Sequence, residues 1–392
     1  MRCQLVGHGL SANSDTALAV REACAQALEP LAGARVTLAA VFATPSHWLD
    51  SDDLATLIAS ELSAEHVIGS MSEAVIGRGR ELEHGSGISV LAAHLPGAII
   101  TTRHVRLAPR SQRGELVGEL PPARGTRSAI PAIVLSDPFS MDAKRLIGEL
   151  GGAGYVCVGG LSSGGRSPGE HRLLIDGRAV SEGAVVATID GVATQTIVSQ
   201  GCAPIGPEMV ITAATGEVVH SLAGRPATDR LHEIFTALSP AERTLATSGL
   251  LAGIVIDENR PQYGQGDYLI RAVLGANRAS GEITLGERVR VGQTFRFHVR
   301  DAVSADNDLR RALEACNLEA PALSGGLLFN CNGRGRHMFS NADHDVSLAE
   351  RILGPVPIAG MFCNGEIGPV GRDNFLHGFT ATMLLFDDLT DP

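Results

Sequence analysis

Three stretches of this chain follow the same order of parts, and that order limits the fold more than any single motif. In the last, Leu327 to Phe386, an apolar run Leu327-Leu328-Phe329 meets Cys331-Asn332-Gly333-Arg334-Gly335-Arg336. A helix-like piece, Ser347 to Leu353, carries Leu348, Ile352 and Leu353 on one side. Val356 to Ala359 then leads into the turn-rich Gly360 to Pro369, and Phe379 to Phe386 closes the stretch. Near the N-terminus, Val36 to Phe42 is followed by the stripe Leu54, Leu57, Ile58 and Leu62, by Val67-Ile68 before the turn Gly69 to Gly77, and by Ile88 to Leu95. Between them, Ile130 to Leu135, the stripe Leu146, Ile147 and Leu150, Tyr155 to Val158 before Gly159 to Gly165, and Ala184 to Ile189 give the same order. Such units are too far apart and too unequally spaced for a solenoid. They predict an α/β chain in two domains, built from repeated strand–helix–strand units with mixed sheets.

At 392 residues the chain is long for one core. The expected boundary lies near residue 225, giving domains 1–224 (core 36–222) and 225–392 (core 250–386). A net charge of −11 argues against nucleic-acid and anionic-membrane surfaces, which need basic patches. The N-terminus lacks the apolar core of a signal peptide, and no apolar run reaches spanning length. A cytoplasmic location is the expectation. The seven cysteines are scattered with no CxxC pair, which fits reduced thiols. Cys3, Cys24, Cys157 and Cys316 stand in apolar or helical contexts and read as small buried hydrophobes.

Along the chain, Ser14 is the expected cap of a first helix carrying Ala17, Val20, Cys24, Ala27 and Leu28. Ala108 to Arg127 is polar and reads as a surface crossing. Asp176-Gly177 between two short apolar runs predicts a type I′ hairpin. Pro226-Ala227 opens a helix, Ser239-Pro240 restarts one, and Ser304 is the expected cap of another. Strands are expected at Leu250–Ile256, Tyr268–Val273 and Thr294–Val299.

Within each repeat the first two strands are joined by a helix, so they should run parallel and share a carboxyl-end rim, where open α/β sheets bind ligands. That places Cys331 to Arg334 beside Gly360 to Glu366, Thr44 to Trp48 beside Ser70 to Glu73, and Ser136-Asp137 beside Leu161 to Gly165. Cys331 follows a buried-looking strand, and Arg334 can lower its pKa by folding back. The alternative is a packed structural thiol, and Cys363 has similar standing. Arg334 and Arg336 can hold a carboxylate with paired N–H donors, or be solvated. Glu366 and Glu73 can bind an amine or act as general base, or simply accept turn amides. Ser70, Asn332 and Asn364 stand in the same turns and are ligand-binding candidates with them. Ser162 and Ser163 can cradle an anion, although no GxxxxGK[ST] motif exists. Cys331 with His337 or His377 would suit nucleophilic catalysis, but no orienting third residue is marked by spacing. The dispersed histidines give no metal site.

Together these residues resemble the FIST family, with an N-terminal FIST domain and a FIST C domain. The first half carries Val67-Ile68-Gly69, Glu73, Val75-Ile76-Gly77, Glu81-x-Glu83, Gly159 to Gly165, and Gly206-Pro207 to Thr212. The second carries Arg271, Val291-Gly292, Arg300-Asp301, Asn330 to Gly335, Gly365 to Pro369, His377-Gly378 and Thr380. Ser70 and Ala74 depart from the family's usual Cys and Gly, which puts a thiol role at the first rim in doubt. The resemblance implies a sensory protein for small ligands, with amino acids proposed. It also implies haem in some members and a histidine kinase as partner, and a chain of this length would signal through such a partner. Three readings follow: a cytoplasmic small-ligand sensor, a Cys331-dependent hydrolase or transferase, and a scaffold docking a signalling partner through its acidic surface.

Overall fold

The computed structural model describes residues 4–49, 51–108, 115–118, 130–264, 266–319 and 322–388. Cys3 and most of the expected crossing Ala108 to Arg127 lie outside these residues. By contacts the chain divides into a larger body, Met1–Val198 with Leu309–Leu376 and Thr380–Pro392, and a smaller one, Ser199–Asp308 with His377–Phe379. The fold is α/β with mixed sheets in two bodies.

All three repeats form in the larger body. Repeat one has an opening strand Leu38–Ala43, a helix Ser51–Leu62, a second strand His66–Met71, a hairpin Val75–Gly77/Arg80–Leu82 and a closing strand Ile88–His94. Repeat two runs Ile130–Ser136, Ala143–Gly152, Tyr155–Leu161, Leu173–Ile175/Arg178–Val180 and Ala184–Asp190. Repeat three runs Leu323–Cys331, His344–Leu353, Ile358–Cys363, Glu366–Val370/Asp373–His377 and Thr380–Asp387. Its hairpin is cut by the body division after Leu376. In every repeat the opening and second strands are parallel, and the closing strand lies antiparallel against the opening one.

The hairpins are exchanged in a ring. The hairpin of repeat two extends the sheet of repeat one by pairing with its second strand. The hairpin of repeat three does the same for repeat two, and that of repeat one for repeat three. The segments read as glycine turns are therefore hairpins that leave their own sheet. One glycine recurs for a steric reason. A Cβ on Gly69, Gly159 or Gly360 would lie 2.4, 2.0 or 1.9 Å from the carbonyl oxygen of Val41, Val134 or Leu328 on the parallel neighbour.

Each sheet turns one face to a shared core. Leu38, Phe42 and Ile68 meet Ile133, Leu135 and Val158, and these meet Leu327, Phe329 and Met361. Phe42 and Phe329 touch edge to face with centroids 5.9 Å apart. Fully burying side chains of this kind stabilises by about 1.5–3 kcal/mol each. The outer faces are covered by helices, as where Val20, Cys24, Leu54 and Ile58 pack on Val41 and Val90.

Leu5–Ser11, which the sequence pattern hides, adds a strand beside the closing strand of repeat one. Gly7 and Gly9 break its hydrophobic run, but a Cβ at either would lie 2.0 or 1.8 Å from Ala27 O or Ala23 O of the covering helix. That helix is Thr16–Leu28, and its cap is Asp15 rather than Ser14, since Asp15 accepts from Leu18 N at 2.9 Å. Likewise Asp301, not Ser304, caps Ala302–Glu319, because Ser304 N donates to its carboxylate at 3.0 Å. Asp176 and Gly177 take φ of 45° and 76°, as the expected hairpin requires.

In the smaller body, strands Cys202–Thr215, Thr294–Arg300, Leu250–Val255, Tyr268–Asn277, Glu282–Leu285 and Val218–Leu222 pair in that order. The first and last also pair, so the sheet closes into a barrel. Phe295, Phe297, Ile254 and Ile283 fill it. Helix Pro240–Ser248 opens with a Ser239/Glu242 capping box.

Candidate functional site

The three rims of the larger body meet at one point. Counting from the recurrent glycine, Met71, Leu161 and Phe362 are equivalent, and so are Glu73, Ser163 and Asn364. Ser163 N donates to Met71 O at 3.3 Å, and Asn364 N donates to Leu161 O at 3.2 Å. The third side differs. Phe362 O accepts the hydroxyls of Ser72 at 2.8 Å and Ser163 at 2.6 Å, and Glu73 N donates to Ser163 Oγ at 2.8 Å. Ser70 Oγ and Ser162 Oγ lie 2.7 Å apart. Ser70, Ser72, Ser162 and Ser163 are fully buried, so the two expected anion-binding serines join the turns together instead of facing solvent. Glu73 and Asn364 are exposed at the mouth of this junction. Asn364 reaches Asn332 Nδ2 at 2.9 Å and Ser162 O at 3.0 Å.

Three residues past the recurrent glycine and its neighbour, the inner face of each parallel pair holds two polar residues. Thr44 with Ser72 and Asp137 with Ser162 lie one residue beyond the last rungs Ala43/Met71 and Ser136/Leu161, whereas Cys331 with Cys363 is itself the last rung. The second rim is satisfied within itself. Asp137 Oδ1 accepts from His171 Nδ1 at 2.9 Å, Ser140 donates to its other oxygen, and Gly165 N donates to His171 Nε2 at 3.1 Å. These bonds hold the Asp137 carboxyl below its usual range despite burial.

The third rim is built differently. At the start of the exchanged hairpin, where repeats one and two have Val75 and Leu173, it has Glu366, fully buried. Burial pushes this carboxyl up to about 8, against Thr380, Cys331 and Arg334, which favour its charged form. Thr380 N and Oγ1 donate to Glu366 Oε2 at 3.1 and 2.8 Å. Near neutral pH Glu366 is therefore mostly an uncharged acid. Cys363 is fully buried, and its thiol is pushed well up by burial and by Glu366 and Cys331. Cys331 is half-buried, with Gly333 N donating to its sulfur at 3.4 Å. Cys331, Cys363, Glu366 and Arg334 thus form one electrostatic cluster.

Arg334 is fully buried and held from inside. Its Nε and Nη2 donate to the two oxygens of Asp345 at 2.7 and 2.8 Å. Asn330 and His344 also bond Asp345, at 3.0 Å each. His344 stacks on Phe339 with centroids 3.5 Å apart, and the Arg334 guanidinium lies over the same ring. Asp345 is held far below the usual carboxylate range by Arg334, against its own burial. Glu81, from the exchanged hairpin of repeat one, accepts Asp345 N and Val346 N at 3.1 Å each. Burial and the nearby Asp345 charge push Glu81 upward. Arg334 Nη1 remains buried without a hydrogen-bond partner. Arg336 and His337 are exposed, and Arg336 N donates to both oxygens of Glu83.

Asp345, Thr380 and Asn330 were not legible as site residues. Spacing gives no signal for Asp345, and Glu81 arrives only through the hairpin exchange. His377 belongs to the smaller body, where it is buried. That body has a cavity of about 480 Å³ lined by Pro207, Met209, Arg230, Ile234 and Leu238, which no motif marks. The buried His171 and His298 do not fit haem. His171 spends both ring nitrogens as described, and His298 packs against Gly253 and Tyr268. Among the described residues no group of three or more His, Cys, Asp or Glu is placed to hold a metal ion. No helix among them is long and apolar enough to cross a membrane.

Comparison with known proteins gives two domain matches, FIST N domain over residues 37–225 and FIST C domain over residues 227–369. The chain is similar to Uncharacterized protein Rv0628c of Mycobacterium tuberculosis (strain ATCC 25618 / H37Rv), 42% identical over 98% of this chain and 100% of the relative. It is also similar to Uncharacterized protein Mb0898c of Mycobacterium bovis (strain ATCC BAA-935 / AF2122/97), 38% identical over 98% of this chain and 99% of that protein.

Proposed function

Since this chain belongs to the FIST family, whose domains are associated with sensing in signal transduction, we propose that it is a cytoplasmic sensory protein that binds a small ligand at the third rim. An amino acid is the ligand class to test first. Supporting this reading, three equivalent turns meet, and only at the third do a reachable thiol, an uncharged buried acid and a buried cation with a spare N–H adjoin. Cys331, Asn332, Asn364 and Glu73 would contact the ligand. Glu366 and Arg334 would act from beneath it, through a hydrogen bond from the neutral acid and the spare Nη1. Asp345 already takes the paired donors of Arg334, so a ligand carboxylate would not receive a bidentate clamp. Output would pass to a separate signalling protein, for which a histidine kinase is the candidate that the resemblance implies.

The test couples two readouts. A panel of amino acids is screened for a rise in melting temperature, since a ligand of the native state must stabilise it. Hits are then scored for slower alkylation of Cys331. A ligand that raises the melting temperature and shields Cys331 is the expected result. Stabilisation without shielding moves the site elsewhere, with the 480 Å³ cavity of the smaller body the first place to look. If no amino acid stabilises the protein, that ligand class is wrong.

A further inference from the structure

We propose that Cys331 and Cys363 are a reversible redox pair that closes to a disulfide when a peroxide oxidises Cys331. The two are register partners at the last rung of the parallel ladder of repeat three. Such partners hold their Cα atoms about 4.8 Å apart, inside the range of roughly 4.4–6.8 Å that disulfides span. Both side chains lie on the inner face. Cys363 belongs to the central core with Met361 and Phe329, and Cys331 follows Phe329 by one alternation. Each thiol also acts electrostatically on its neighbours in the cluster around Glu366. Both strands end at this rung, so the small approach of the two Cβ atoms that bonding needs disturbs little of the ladder.

The two thiols divide the work by exposure. Cys331 is half-buried and reachable, whereas Cys363 is sealed. The Gly333 N–H reaches the Cys331 sulfur at 3.4 Å, and the species that reacts with peroxide is the Cys331 thiolate. That thiolate attacks one peroxide oxygen; an S–O bond forms, the O–O bond breaks, and the departing oxygen leaves as water or alcohol after taking a proton. The Cys363 sulfur then attacks the Cys331 sulfur. An S–S bond forms, the S–O bond breaks, and hydroxide leaves as water with the Cys363 proton. Two electrons pass from the thiol pair to the peroxide, and a dithiol reductant restores them. The equivalent positions hold Thr44 with Ser72 and Asp137 with Ser162, so this chemistry belongs to one repeat alone. It does not depend on the ligand reading.

The experiment treats the folded protein with hydrogen peroxide, quenches with catalase, alkylates, and maps peptides without reduction. A Cys331–Cys363 cross-linked peptide that dithiothreitol reverses is expected, while Cys24 and Cys157 remain alkylatable after unfolding. Burial pushes both of those thiols up to about 12, which makes them internal controls. In Cys363→Ser, oxidation should stop at a Cys331 sulfenic acid trapped by dimedone. Serine already occupies the equivalent positions at Ser72 and Ser162, so this variant should fold. The proposal is overturned if wild-type Cys331 goes to sulfinic acid with no cross-link. It is equally overturned if Cys331 resists peroxide at concentrations that oxidise free glutathione.

Discussion

The second and third rims share a backbone plan and differ in what their side chains leave unspent. At the second rim Asp137, His171, Ser140 and Gly165 satisfy one another, and the carboxylate sits low and charged. At the third, the equivalent ground holds two thiols and a buried acid held near 8. A closed hydrogen-bond set rigidifies a loop, whereas a neutral acid beside a reachable thiol keeps a capacity to bind or react. Scaffold and proposed site are therefore two uses of one repeated element.

The largest test of that contrast removes the cation beneath the third rim. Arg334→Met leaves the fully buried Asp345 carboxylate without its arginine partner, and should cost about 3–5 kcal/mol in urea unfolding. The double variant with Asp345→Leu should recover most of it. If Arg334→Met alone were neutral, the third rim would be as open to water as an ordinary loop.

The shared backbone gives the next effect. Gly69→Ala, Gly159→Ala and Gly360→Ala each push a Cβ into a neighbouring carbonyl oxygen. Each should lower stability by about 1–3 kcal/mol or more. Loss at all three confirms a common plan, and tolerance at one would break the equivalence. Ser163→Ala removes the hydroxyl that closes the ring of turns, and should cost about 1–3 kcal/mol by leaving Phe362 O and Glu73 N underbonded.

A smaller effect reads the acid itself. The folded pKa of Glu366 lies above its usual value of 4.5, at about 8. Its contribution is thus full below the unfolded pKa and is lost as pH rises through that window. Glu81 acts with the same sign. Glu366→Gln should make the fall in melting temperature between about pH 4.5 and 8 shallower, without abolishing it. An unchanged slope would mean that Glu366 ionises as freely as an exposed residue. The smallest effect is at the mouth, where Glu73→Ala should shift stability by less than about 0.5 kcal/mol.

Much of this was legible because it is local. Strand runs, helical stripes and the Asp176-Gly177 hairpin follow from periodicity and turn chemistry. The convergence of the rims was readable as parallel pairing with a common edge. Hairpin exchange was not, since nothing in Val75–Leu82 says that it will pair with residues 358–363 rather than with its own sheet. For the same reason the Glu81 contact and the true partner of Arg334 were hidden. A buried arginine in a glycine-rich turn looks in sequence just like a solvated one. The Leu5–Ser11 strand was masked by glycines chosen for helix contact and not for strand propensity.

The exchange has a consequence for how the protein comes into being on the ribosome. The hairpin of repeat one emerges well before its partner, Ile358–Cys363, which lies about 280 residues further along the chain. At about 5–20 residues per second, its free edge waits on the order of tens of seconds. Through that interval a short, exposed strand pair must avoid a wrong neighbour, including the same hairpin on an adjacent nascent chain. Arg78 stands in the turn between its two strands, and its charge disfavours the meeting of two such hairpins.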